Sequence, residues 1–280
     1  MHFLEIKELT ERQVIDIFNL ASRLKHNDNR TLLSGRTFVL FFPETSLRTR
    51  ITFEKGIKDL GGECVLFPPE TLDKRESLQD VAKYLSNWSN GIIIRHPDFS
   101  KVEELSTHSS VPVINAMTSE NHPCEIIADL FSIRERRDNY RDLVYTFVGP
   151  AGNISRSWME IAKVMNLKLR HVCEQGNELG PPDANYSFTT ELDSALNGSD
   201  VVLTDSLPST YRNEEYISKY QISLDKMQLT NQEALLNPCP PFFRNEEVSE
   251  DVIQSDYFAG YEFKKNLIYV HQAIILHCLR

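Results

Sequence analysis

The sequence predicts an α/β protein built as two halves, each a parallel β-sheet covered by helices. Three observations carry that expectation. Short apolar runs of strand length recur along the chain, helical stretches with apolar residues three and four apart separate them, and the polar stretch 138–142 interrupts the alternation midway. The 280 residues suffice for one large or two medium domains, and a hydrophobic share of 41% can fill their cores.

The first half opens on a helix. Thr10 followed by Gln13 is a capping-box pattern, and Val14, Ile17, Leu20 or Ala21, and Leu24 recur at helical spacing. Residues 37–42 then read as a strand, and Ile51, Ile57 and Leu60 mark the expected buried face of a helix that Gly61 and Gly62 end. A strand at 63–67 completes a βαβ unit. After the polar loop 68–79 come a helix at about 78–88, a strand at 91–95, a helix near 101–106, a strand at 111–115 and a long helix over 122–137, with Ile126, Ile127, Leu130 and Phe131 inward. The second half repeats the alternation, with strands at 143–148, 168–173, 200–204 and 234–236 and helices at about 153–165, 190–197, 212–220 and 249–254. In the closing stretch 266–279, Leu267, Val270, Ile274 and Ile275 again keep helical spacing.

The formal net charge of −10 argues against nucleic acid or an anionic membrane as a bulk partner, because both call for a basic face. Any anion site must be a local basic pocket. Cys64, Cys124, Cys173, Cys239 and Cys278 are odd in number, widely spaced and form no C-x-x-C, which suits reduced thiols in a cytoplasmic protein. The first twenty residues carry Glu5, Glu8, Glu11 and Asp16 and do not read as a signal peptide, and no stretch reaches the roughly 20 apolar residues of a membrane helix.

Parallel sheets bind ligands beyond the carboxyl ends of their strands. Residues 46–50, Arg95, His122, 149–153, Asp205 and 237–241 all follow predicted strands or start helices, so they are expected to converge on one cleft between the halves. In FFPETSLRTR (41–50) an apolar strand runs through a proline into Ser46, Leu47, Arg48, Thr49 and Arg50 at a helix start. The free N–H groups and dipole of such a start, with hydroxyls and guanidinium groups, suit a phosphate dianion. An N-capped surface helix with solvated arginines is the plainer alternative. Arg95 closes Ile92-Ile93-Ile94, where it could bind a carbonyl or phosphate oxygen or simply end the strand in solvent. His122, before Pro123 at a helix start, could donate to a developing oxyanion or only cap the helix. Together these residues form a phosphate cradle with two donors for a carbonyl oxygen, as acyl transfer from an acyl phosphate requires.

These segments resemble a known family. SLRTR (46–50), RHP (95–97), HPCE (122–125) and the IIADLFSI that follows are similar, in order and spacing, to the carbamoyl-phosphate half of the aspartate and ornithine carbamoyltransferases. GPAGNISRSW (149–158), DVVLTDSLPS (200–209) and NPCPPFFRNEEVSEDVI (237–253) resemble the amino-acid half of ornithine carbamoyltransferases. The resemblance implies a carbamoyl-phosphate domain over 1–137, with a closing helix at 265–280 packing back on it, and an acceptor domain over 142–262. It also implies a homotrimer or higher multiple with shared active sites, and carbamoyl transfer to an amine without metal or organic cofactor. By it, Ser46, Leu47, Arg48 and Thr49 bind the phosphate, Arg95 and His122 polarise the carbamoyl carbonyl, Glu125 contacts the carbamoyl group, Arg244 returns to this site and Lys74 enters from a neighbouring subunit. Asn153 contacts the acceptor's α-carboxylate, Asp205, Ser209 and Thr210 lie in the segment that grips its α-amino group, and Cys239 and Pro240 line the same side.

The departures are specific. Leu47 stands where the family has Thr, and Glu125 where it has Gln; a carboxylate can only accept hydrogen bonds, and its charge opposes a nearby phosphate unless it is protonated or paired. Asn237-Pro238-Cys239-Pro240 replaces the family's HCLP or HPLP, Thr210 replaces a Met, Pro150 an Asp, and Asn266-Leu267 an Asn-Arg pair. Cys239 is read as a small buried thiol rather than a nucleophile. Three functions are therefore open: an active carbamoyltransferase acting on an ornithine-like or specialised amine, a silent homologue that binds a ligand or regulates a partner, and a transferase whose chemistry Glu125 has altered. A dinucleotide enzyme is the weakest option, since Gly149-Pro150-Ala151-Gly152 lacks the G-x-G-x-x-G spacing.

Overall fold

The structure is a computed structural model that describes residues 1–26 and 31–280. The chain divides into two compact units, Met1–Ile133 with Lys264–Arg280, and Arg134–Phe263.

In unit 1, helix α1 (Glu11–His26) begins at the expected capping box: the Gln13 side chain accepts from the Thr10 N–H at 2.9 Å, and the Thr10 hydroxyl accepts from the Gln13 N–H at 3.3 Å. Strand β1 (Thr37–Phe41), helix α2 (Arg48–Asp59) and strand β2 (Glu63–Phe67) form the first βαβ unit, followed by α3 (Leu78–Trp88), β3 (Gly91–Arg95), α4 (Phe99–His108), β4 (Val113–Met117) and α5 (Pro123–Arg136). The four strands form a parallel sheet in the order β2-β1-β3-β4. Strands β1, β3 and β4 are buried almost throughout, as near-continuous apolar runs in a covered parallel sheet should be. Strand β2 is the edge and exposes Val65 and Phe67.

Two expectations are corrected here. Ile51 does not face the core: it is 56% exposed, and Phe53 and Ile57 carry the buried face of α2. Strand β4 begins at Val113 rather than 111, and its register against β3 shifts between Ile94 and Arg95, so a bulge falls beside Arg95. Bulges bend a strand locally and re-aim the side chains next to them.

Unit 2 contains β5 (Val144–Val148), α6 (Asn153–Met165), β6 (Lys168–Val172), β7 (Tyr186–Thr189), α7 (Leu192–Leu196), β8 (Val201–Thr204), α8 (Glu214–Tyr220), α9 (Leu224–Met227), β9 (Leu235–Pro238) and α10 (Glu250–Ile253). Its parallel sheet runs β7-β6-β5-β8-β9. Edge strand β7 was not expected; YSFT is short and half polar, so it gives little strand signal outside its pairing with β6. Helix α6 ends on Asn166 in the left-handed conformation, a C-terminal stop that asparagine tolerates.

The closing helix α11 (Asn266–Cys278) returns to unit 1 and packs on α1 and α2. Gly56 permits the close approach: a Cβ there would meet Gln272 Cγ at 3.3 Å, and the Gln272 amide donates to the Gly56 carbonyl at 2.9 Å. His271 stacks on Phe53 with ring centroids 3.9 Å apart. Among the described residues no helix is long and apolar enough to cross a membrane.

Candidate active site

In unit 1 the residues after three neighbouring strands are brought together. Beyond β1, Ser46 is buried, and Leu47 occupies the N-cap position of α2 without any side-chain cap for the first-turn N–H groups. The N-cap side chain therefore leaves those donors and the positive end of the helix dipole uncapped, and the first turn carries no acidic residue. Arg95, at the end of β3, donates from Nη1 to Ser46 Oγ at 3.1 Å, joining the expected cradle to the expected carbonyl-binding arginine. Thr49 is buried beside them, and Arg48 is exposed. Arg50 is engaged elsewhere, its Nε donating to Glu54 at 2.6 Å.

Beyond β4 a turn held by buried Thr118 and Asn121 leads to His122 at the start of α5. Asn121 Oδ1 accepts from Asn115 Nδ2 at 2.5 Å and from the Thr118 hydroxyl at 2.9 Å, and the Thr118 N–H donates to the Asn121 carbonyl at 2.8 Å. Burial lowers the His122 imidazole to about 4; Glu125 opposes this, and Arg95 and Lys264 add to it. The ring is thus neutral near pH 7 and keeps one N–H to donate.

Glu125, one turn along α5, is 4% exposed. Lys264 Nζ lies 2.7 Å from Glu125 Oε1 and 2.5 Å from Asp129 Oδ1. Burial alone would raise the Glu125 carboxyl, but the charge and hydrogen bond of Lys264 outweigh it and hold the group below the ordinary carboxylate range. The pairing condition raised by this glutamate is met, and neither Lys264 nor Asp129 was singled out in the sequence.

Lys74 is on the exposed loop before α3. The base of that loop is fixed by buried His96, whose Nε2 lies 3.1 Å from Asp73 Oδ1, and Asp73 also pairs with Lys101. The His of the RHP segment is therefore a loop anchor.

Unit 2 assembles its own group at the ends of β5, β8 and β9, which are adjacent in the sheet. Gly149 leads to Asn153 at the start of α6, Asp205 follows β8, and Cys239 follows β9, its N–H donating to the Thr204 carbonyl at 2.9 Å. Cys239 is buried, as a structural thiol should be, and Pro240 is joined to Pro241 by a cis peptide bond. Ser209 and Thr210 are exposed on a 3-10 turn. Arg244 pairs with Glu250 at 3.0 Å and leans over Phe242.

Asn177, unremarked in the sequence, links two of these loops. Its Oδ1 accepts from the Ala151 N–H at 3.0 Å, and its Nδ2 donates to the Tyr211 hydroxyl at 3.1 Å. Behind it, His171 Nε2 donates to the Gly149 carbonyl at 2.8 Å, which leaves Nδ1 to accept from the Tyr186 hydroxyl at 3.1 Å. A cavity of about 760 Å³ opens instead at the amino end of β9, beside Arg137, Glu233 and Tyr257. It contains none of the groups above.

Residues 1–135 match the domain described as aspartate/ornithine carbamoyltransferase, carbamoyl-P binding domain, and residues 141–278 match the Asp/Orn binding domain of the same family. The chain belongs to the aspartate/ornithine carbamoyltransferase family. Among its relatives, the ornithine carbamoyltransferase of Chromobacterium violaceum is 30% identical over 99% of this chain and 96% of its own length. That of Methylobacillus flagellatus is also 30% identical, over 99% and 97%. The crystal structure of ornithine carbamoyltransferase from Burkholderia thailandensis superposes with a TM-score of 0.91 at 27% identity, covering 99% of this chain and 98% of that one. The Thermus thermophilus enzyme gives 0.89 at 28% identity, with 99% and 98% covered. As a family member the chain is a carbamoyltransferase of two parallel-sheet α/β domains.

Proposed function

We propose that the protein moves the carbamoyl group of carbamoyl phosphate to the amine of an ornithine-like amino acid and releases phosphate. The observation that carries this reading is the Arg95–Ser46 contact of 3.1 Å, which makes one site of a phosphate cradle and a carbonyl-polarising donor. Ser46, Arg48, Thr49 and the uncapped N–H groups of α2 hold the phosphate, with Leu47 contributing backbone only. Arg95 and neutral His122 donate to the carbamoyl oxygen and stabilise the oxyanion formed when the amine attacks the carbonyl carbon. Collapse of the tetrahedral intermediate breaks the carbon–oxygen bond to phosphate, and the amine's proton leaves with the phosphate. Lys74 of a neighbouring subunit completes the donor site. Asn153, Asp205, Ser209 and Thr210 hold the amino acid, next to Cys239 and Pro240.

Ornithine is the first acceptor to test, because the relatives named above are ornithine carbamoyltransferases. Pro150, Thr210 and Asn237 are the reason to include substituted ornithines and other amines. The Arg95–Ser46 bond, with buried His122 close enough for the Arg95 charge to act on it, favours an active enzyme over a silent homologue. Exposed Val65 and Phe67 on edge strand β2, with Ile51 and Leu47 on α2, support a trimer that covers them, since an open apolar edge is otherwise an aggregation hazard. The same reading makes the enzyme cytoplasmic. Phosphate release from carbamoyl phosphate against a panel of amines, followed by mass spectrometry for a ureido product, tests the proposal. Absence of both turnover and carbamoyl-phosphate binding sinks it.

A further inference from the structure

Lys264 is the cation that three elements of unit 1 hold against the catalytic helix. It lies two residues before α11, whose first residue, Asn266, is pinned on both sides: its Nδ2 donates to Ser132 Oγ on α5 at 3.0 Å, and its Oδ1 accepts from Lys25 of α1 at 3.1 Å. From that anchored position the ammonium bridges Glu125 and Asp129, four residues apart on α5 and both nearly inaccessible. The other titratable groups acting on Glu125 are His122 on its own helix and His271 on α11, while Arg95 of β3 acts on His122. His122 and His271 are brought down to about 4 and about 3 by burial, so near neutral pH neither is a cation. Among the described residues, the cation bonded to Glu125 at that pH is Lys264.

We propose that Lys264 is a positioning residue of the donor site: it holds Glu125 as a carboxylate, so that the place beside His122 is a charged acceptor for an NH2 group on the donor substrate. This rests on the carbamoyl-transfer reading above. A carboxylic acid buried there without a cation would be neutral and able to donate, whereas the ion-paired group only accepts. The site then selects an acyl phosphate that carries an amide NH2 over one with a methyl group at the same place, as in acetyl phosphate, which has no proton to offer.

The test uses K264M, E125Q and E125Q/K264M. The KM for carbamoyl phosphate and the inhibition constant of acetyl phosphate are measured from about pH 6 to about pH 9, alongside the 13C carboxyl titration of Glu125, assigned by its loss in E125Q. In K264M the Glu125 resonance should titrate at or above neutrality. Its carbamoyl-phosphate KM should rise on the order of tenfold at the acidic end and recover as pH increases, with acetyl phosphate little affected, because a hydrogen bond to a charged acceptor is lost when Glu125 takes up a proton. E125Q/K264M should show no such pH dependence. If K264M does not fold, D129N/K264M removes the surplus carboxylate and gives the same readout. The proposal is overturned if Glu125 titrates in the same range with and without Lys264, or if its titration moves while the carbamoyl-phosphate KM does not. A protein in which the titration moves but no variant, nor the wild type, turns over carbamoyl phosphate overturns the transfer reading and leaves the ionisation of Glu125 standing.

Discussion

At the carboxyl edge of the first sheet, Ser46, Arg95 and His122 follow three neighbouring strands; at that of the second, Asn153, Asp205 and Cys239 do the same. The two edges differ in what surrounds these groups. On the first, Ser46, Thr49, His122 and Glu125 are buried, Ser46 is bonded to Arg95 and Glu125 to Lys264, and the sequence is nearly the family pattern. On the second, Ser209 and Thr210 are exposed on a turn, and Pro150, Thr210 and Asn237 all depart from that pattern. The contrast follows from the chemistry. Under the proposed reaction, stabilising an oxyanion and a leaving phosphate calls for fixed donors in a dry site whatever the amine, whereas exposed turn positions such as Ser209 and Thr210 tolerate exchange.

The comparison breaks first at His122. His122→Ala should lower kcat about 100- to 1,000-fold while circular dichroism and oligomeric state stay unchanged, as for loss of one oxyanion donor. A variant within a few-fold of wild type would remove unit 1 as the seat of the chemistry.

Glu247 sharpens the contrast through stability. It is buried, its Oε1 accepts from the Phe243 N–H at 2.6 Å, and burial chiefly pushes its carboxyl up to about 7, helped by Glu246 and Asp205 and opposed by its hydrogen bonds. The folded form therefore favours the protonated acid. Its contribution is full below the ordinary value of 4.5 and is lost as pH rises through about 7. Denaturant titrations should show wild type losing on the order of 2–3 kcal/mol across that window relative to Glu247→Gln, which keeps the oxygen acceptor without the charge. Parallel curves for the two proteins would refute the assignment.

Smaller effects separate the two substrates. Arg48→Ala should raise the KM for carbamoyl phosphate on the order of tenfold or more and leave the KM for the amine unchanged, consistent with a lost charge-assisted hydrogen bond. Asn177→Ala should do the reverse and more weakly, raising the amine KM about fivefold through the loops carrying Ala151 and Tyr211. Equal changes in both constants for either variant would mean that donor and acceptor recognition are not divided between these residues.

Most of the fold was legible because its strands are apolar runs and its helices keep their period. The failures have physical causes. Ile51 looked inward by spacing, but apolar periodicity does not say whether another subunit or solvent meets that face. β7 has too few apolar residues to announce itself without its partner β6. For the site, Ser46, Arg95 and His122 stood out because their residue types at strand ends are chemically unusual. Lys264, Asn121 and Asn177 did not, since what matters in them is contact across as many as 139 residues of sequence, as between Lys264 and Glu125, and an isolated Lys or Asn carries no such signal. Glu125 was legible as an anomaly, and its resolution lay in the fold.

Helix α5 is enclosed from Pro123 to Ile133, and this makes the two ends of its ion pair with Lys264 unequal under substitution. Removing Lys264 would leave the buried carboxylates Glu125 and Asp129 without its charge, and stranding one member of a buried ion pair costs about 3–5 kcal/mol, a large part of a domain's stability. Removing the charge of Glu125 instead leaves the lysine paired with Asp129 at 2.5 Å. Replacing Lys264 is therefore a far larger step than Glu125→Gln, because the first strands two buried carboxylates and the second strands none.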